Sequence, residues 1–129
     1  MAERAVVDAS VIVDLLAGTP RAGLVATRLD GVALHAPAHF DAEVLSALGR
    51  LHRSGALPAR TVSARLARLT SAPIERHPLA TLLADAWKRR QNLRLVDSLY
   101  VALAEAIDAP LLTTDAALAR ASNRAELVS

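Results

Sequence analysis

Cysteine is absent from this 129-residue chain, lysine occurs once, and phenylalanine, tryptophan and tyrosine occur once each. The first absence excludes a disulfide framework and any thiolate metal centre. With so few aromatic rings, a platform on which unpaired bases stack is not expected. The core must be built from Ala, Leu and Val, which favours closely packed helices. The four histidines (His35, His39, His52, His77) form no helical ligand pair, since the H-x-x-x-H spacing of His35 and His39 spans the strand end at Pro37, so a zinc centre is not expected. No run approaches the ~18 apolar residues a membrane helix needs. Glu3 and Arg4 precede too short an apolar run for a signal peptide. The expectation is a soluble, cytoplasmic protein with no membrane contact.

An excess of charge of either sign is also lacking. A net charge of +2 rules out a polybasic nucleic-acid arm. Lys88 is the sole lysine, and every other cation is arginine. Arginine forks match phosphate geometry, although genome composition produces the same bias. What is present is apolar: 53% of the residues, enough for a core. The length predicts one domain spanning residues 1–129.

Along the chain, short apolar runs alternate with helical periods. Ala5-Val6-Val7 reads as a strand ending at Asp8, followed by a helix from about Ser10 to Ala17 that Gly18 and Pro20 stop. A helix over about 21–29 precedes a strand at Val32 to Ala36. Phe40, Val44, Leu48 and Leu51 then lie at helical spacing, and Pro58 opens another helix. Pro73-Ile74-Glu75 reads as a short strand. Leu79, Leu82, Leu83 and Ala86 mark a helix running into Lys88-Arg89-Arg90, and Val96 to Ile107 marks the next. Leu111 to Thr113 is a strand, 115–121 a short helix, and Glu126 to Val128 a last strand. This alternation predicts an α/β fold with a parallel sheet and helices on both faces. In such folds chemistry sits beyond the carboxyl ends of the strands.

Four carboxylates fall at that edge. Asp8 and Asp115 end strands, Glu43 lies early in the helix after the second strand, and Asp97 opens an amphipathic helix. Singly, each acid is explained by capping or by the helix dipole. Capping explains Asp8 least well, since Ser10 could cap that helix, and Asp41 rivals Glu43 on the same helix. Jointly, carboxylates in one cleft repel, and a divalent cation removes that penalty. Oxygen-rich sites suit hard Mg²⁺ or Mn²⁺, which assist phosphodiester hydrolysis. Ser10 and Thr113 offer neutral hydroxyls that could orient a carboxylate.

These residues resemble the motifs of PIN domains. Val6-Val7-Asp8-Ala9-Ser10 is similar to the family's opening motif, Glu43 to Leu48 to its helix-borne glutamate segment, Asp97 to Ala104 to its third acidic motif, and Leu111 to Ala119 to its fourth. Order and length resemble the VapC toxins of type II toxin–antitoxin systems. The resemblance implies a three-layer sandwich with a central, mostly parallel sheet of four to five short strands. It implies that Asp8, Glu43, Asp97 and Asp115 hold Mg²⁺ or Mn²⁺, with Asp8 and Asp97 as principal ligands and Ser10 and Thr113 in support. It also implies a homodimer, an RNA substrate, and a VapB-type antitoxin whose tail fills the groove. Some relatives carry a further acid after the fourth, where Ala116 and Ala117 stand here.

Phosphate contacts are expected from cations near the acids, first Lys88, Arg89, Arg90 and Arg94, then Arg50 and Arg53. Recognition would lean on RNA shape and backbone. Tyr100 and Trp87 read as core or dimer-interface residues, and His39 as structural or surface. A haloacid-dehalogenase-type phosphatase would need an Asp where Ser10 stands, and a receiver domain a lysine after a late strand; both fail. The remaining alternative is a non-catalytic PIN-like module that binds RNA or protein.

Overall fold

The computed structural model describes residues 3–129. Five strands form one sheet: β1 (Arg4–Val7), β2 (Ala33–Pro37), β3 (Ile74–His77), β4 (Leu111–Thr113) and β5 (Ala125–Leu127). Their order is β3-β2-β1-β4-β5, and every neighbouring pair is parallel. Seven helices flank the sheet among the described residues: α1 (Ala9–Ala17), α2 (Ala22–Leu29), α3 (Phe40–Arg53), α4 (Ala59–Ser71), α5 (Leu83–Lys88), α6 (Leu95–Ala106) and α7 (Ala116–Ala121). The three-layer α/β expectation holds.

Strand β1 is central, and Ala5, Val6 and Val7 are all buried, as a strand covered on both faces requires. Helix α6 packs on β1, β2 and β4 and buries every residue from Ser98 to Ala104. Alanines at 102 and 104 let it lie close to the sheet. Phe40 and Tyr100 supply the largest buried side chains, each contributing roughly 1.5–3 kcal/mol through burial. Gly18 ends α1 at φ 69°, a left-handed position that side chains resist.

The chain runs from β1 outward to β2 and β3, then returns across the sheet to β4 on the other side of β1. The carboxyl ends of β1 and β4 therefore border the crevice where connections diverge in opposite directions, the usual ligand position in open α/β sheets. Asp8 follows β1 and Thr114-Asp115 follows β4, so topology alone delivers both to one place.

Two expectations need correction. Asp8, not Ser10, caps α1: its Oδ1 accepts the Val11 N–H at 3.3 Å. The helix expected from Leu79 begins as a 3-10 turn over Ala80–Leu82 and becomes α-helical only at Leu83.

Candidate acidic active site

Asp8 is only 6% exposed, and its carboxylate is held by a relay that fixes every proton. The Ser10 hydroxyl accepts the Thr114 N–H at 3.1 Å and donates to Asp8 Oδ1 at 2.5 Å. The Thr113 hydroxyl accepts the Asp115 N–H at 2.9 Å and donates to Asp8 Oδ2 at 2.6 Å. A hydroxyl has one proton, so each backbone donor commits a hydroxyl to aim that proton at Asp8. The arrangement favours an ionised acceptor. Burial pulls the other way and raises the Asp8 pKa above the ordinary carboxylate value; the Ser10, Thr113 and Val11 donors oppose the rise, and the nearby Asp115 charge adds to it. Its hydrogen-bond partners, the Ser10 and Thr113 hydroxyls and the Val11 N–H, are all neutral.

Asp97 sits in the first turn of α6, where the helix dipole favours an anion. Its partner is Arg94, whose Nε and Nη2 donate to the two carboxylate oxygens at 2.9 and 3.2 Å. Arg94 also lies in the field of Glu43 and Asp115, and these anions raise its pKa. Glu43, on α3, accepts the Tyr100 hydroxyl proton. Burial and the Glu43 charge push the Tyr100 pKa upward, which keeps it a donor. His39 Nε2 lies 3.0 Å from the Val96 carbonyl and 3.6 Å from Glu43, and the ring packs against Tyr100 at 4.8 Å between centroids. Asp115 caps α7 through the Ala117 and Leu118 N–H groups.

Two clefts meet at Arg94. One, of about 460 Å³, is lined by His39, Glu43, Ser46 and Arg50; the other, of about 240 Å³, by Asn92, Asp97 and Asp115. Glu43 thus lines the first cleft and Asp97 and Asp115 the second, while Asp8 lines neither and is joined to the Asp115 backbone through the Thr113 hydroxyl. The four acids do not close into a chelating trio: among the described residues, only His35, Glu75 and His77 bring three such ligand atoms within 4.8 Å of one another. Asp41 leaves the group, forming an ion pair with Arg76 at 3.0 Å beside a different groove. The basic run divides. Arg94 lines the clefts, whereas Arg89 pairs with Asp85 at 3.1 Å and Arg90 lies 4.7 Å over the Trp87 ring. Arg50 lies on the same helix as Glu43; His39 stands four residues before Glu43, at helical spacing, whereas no spacing in the chain links Glu43 to Tyr100.

A family model for the PIN domain matches residues 5–123. The chain belongs to the PIN domain family. Ribonuclease VapC3 of Mycobacterium tuberculosis is 59% identical over 120 residues, covering 92% of this chain and 88% of the relative. Ribonuclease VapC12 of the same organism is 37% identical, covering 89% of each chain. PAE2754 from Pyrobaculum aerophilum superposes with a TM-score of 0.71 at 26% identity, over 99% of this chain and 85% of its own. In this PIN domain the acid-bearing segments come from β1, α3, α6 and β4, the four elements bordering the crevice.

The carboxylate oxygens suit a hard divalent cation, and the buried Asp8 is hydrogen-bonded only to neutral donors among the described residues. Among the described residues no single helix is long and apolar enough to cross a membrane.

Proposed function

We propose that this PIN domain, as one domain over residues 1–129, is a ribonuclease that hydrolyses RNA phosphodiester bonds with Mg²⁺ or Mn²⁺. Its role is the toxin of a VapBC-type pair that inhibits translation in the cytoplasm. The observation that carries this reading is the Asp8 relay, in which two hydroxyls spend their only protons on a buried carboxylate beside three further acids. Such preorganisation makes sense for an anion that must stay ionised and in place to receive a cation.

Asp8 and Asp97 would be the principal ligands, with Glu43 and Asp115 completing the acidic rim and Ser10 and Thr113 orienting Asp8. The bound ion supplies Lewis acidity toward a phosphate oxygen and lowers the pKa of an attacking water. Arg94 stands ready to exchange Asp97 for a substrate phosphate, since its side chain is 75% exposed and its guanidinium fork suits either partner. Arg50, on the Glu43 side, extends this track for the RNA backbone. Lys88, Arg89 and Arg90 lie further from it, and any contact they make is with flanking RNA. A VapB-type antitoxin would cover the groove. A homodimer would bury Leu83 and Trp87, one turn apart on α5 and both exposed, with Leu95 and Val96 at the start of α6.

The test is cleavage of structured RNA by purified protein with Mg²⁺ or Mn²⁺. Activity is expected to fall at least about a hundredfold in Asp8→Ala and Asp97→Ala, the loss of several kcal/mol of transition-state stabilisation. Cutting unchanged in both variants would assign the activity to a contaminant. Chelator-insensitive RNA binding without any cleavage would establish instead a non-catalytic binding module.

A further inference from the structure

Parallel pairing of β2 with β3 sets His35 opposite Glu75 and Pro37 opposite His77. Because side chains alternate along a strand, His35, Glu75 and His77 share one face, while Leu34, Ile74 and Ala36 turn to the other. Three ligand atoms converge there: His35 Nδ1 lies 2.9 Å from His77 Nε2 and 3.2 Å from Glu75 Oε2, and the last two are 4.0 Å apart. Ligands bound tetrahedrally at about 2.0–2.1 Å are separated by ~3.3 Å, which these distances bracket. The imidazoles are partly shielded, with side chains 14% and 23% exposed, whereas Glu75 is 67% exposed and leaves the open side to water.

We propose that His35, Glu75 and His77 form a second cation site, selective for Zn²⁺ or a similar late first-row ion and independent of the acidic crevice. Two imidazoles and one carboxylate are a borderline-soft set that favours Zn²⁺ over Mg²⁺, the reverse of the all-oxygen crevice. No helical spacing announces this trio, because His35 and His77 are 42 residues apart and meet only through strand pairing. The site staples the edge strand β3 to β2. It also braces the turn that launches α3, since the His77 carbonyl accepts the Ala38 N–H at 2.8 Å, two residues before Phe40 begins the Glu43 helix. Without an ion, one imidazole donates its proton to the other across the same 2.9 Å contact.

The experiment uses tag-free, chelator-stripped full chain titrated with ZnCl₂, followed by melting temperature, and with CoCl₂, followed by its visible absorption. One equivalent is expected to bind. Zn²⁺ at ~100-fold excess over its Kd should raise the melting temperature on the order of 5–10 °C. Co²⁺ should show the intense bands of a tetrahedral ion, and the imidazole NMR signals of His35 and His77, not His52, should shift. Glu75→Gln, a change at an exposed position, and His77→Gln should each weaken binding at least about tenfold. The double variant Asp8→Asn/Asp97→Asn should bind as wild type does. A wild-type protein with no Co²⁺ bands and no melting response overturns the proposal. So does a response undiminished in both Glu75→Gln and His77→Gln, or one lost in the crevice double variant while the histidines remain.

Discussion

Asp8 and Asp97 border the same crevice yet are held by opposite means. Asp8 is buried and fixed by neutral donors from the start of α1 and the end of β4. Asp97 is more open and held by an arginine three residues away whose side chain is mostly in solvent. The first arrangement is rigid and leaves a negative charge to neutral partners. The second compensates its charge at once, through a bond worth little at an exposed position, about 0–1 kcal/mol. On the proposed reading, the acid that sets the geometry is fixed at the junction of β1 and α1, and the acid that releases a counter-ion is placed at a helix start where release is cheap.

The largest expected effect comes from breaking the relay that distinguishes Asp8. Thr113→Val removes one hydroxyl proton from Asp8 and the acceptor for the Asp115 N–H, and Ser10→Ala does the same at the other oxygen. Each should lower Mg²⁺ affinity and RNA cleavage by about 10–100-fold, the usual cost of losing groups that orient a metal ligand. Thr113→Ser, which keeps the hydroxyl, should recover most of the loss. If Thr113→Val cleaves like wild type, Asp8 is not oriented by its neighbours and the contrast with Asp97 dissolves.

Much of this is legible in the sequence. The alternation of apolar runs and helical periods gave all five strands, and the position of acids after Val7 and Thr113 pointed to the correct sheet edge, because strand polarity in a parallel sheet puts every carboxyl end on one side. Local chemistry was harder to foresee. Ser10 and Asp8 compete for the same cap on the page, and only the proximity of β4 shows that Ser10 is occupied with the Thr114 N–H. The departure of Asp41 toward Arg76 depends on β3 lying beside β2, and the Tyr100–Glu43 contact joins residues 57 apart. The histidine trio escaped for the same reason: a search at helical spacing cannot find ligands that strand register assembles.

A smaller effect sharpens the other half of the comparison. If Asp97 is a metal ligand as proposed, Arg94 competes with the ion for it, so Arg94→Gln should tighten Mg²⁺ binding in the absence of RNA by up to about fivefold, the range of an exposed pair. The same substitution removes a phosphate partner, so KM for RNA should rise while kcat changes less. Isothermal titration and steady-state cleavage read the two quantities separately. Weaker Mg²⁺ binding in Arg94→Gln would mean that the arginine organises Asp97 instead of guarding it.

The smallest effect concerns stability and follows from the sign of one shift. Asp8 titrates above its unfolded value because burial outweighs its donors. In that window the folded chain binds more protons than the unfolded chain, so the group's contribution to stability falls as pH rises through the folded pKa and returns as pH is lowered. Glu3 and Asp108 act in reverse, since Arg28 and Arg124 hold their pKa values down, and their contribution is lost only at more acid pH. Chelator-treated protein should therefore gain stability as pH falls through the raised Asp8 pKa and lose it on further acidification. Asp8→Asn should flatten the first limb and leave the second. Saturating Mg²⁺ should flatten it too, because an ion that compensates the buried charge removes the reason for the proton to bind. Denaturant melts at successive pH values measure both limbs, and a first limb that survives in Asp8→Asn would place the raised titration on another residue.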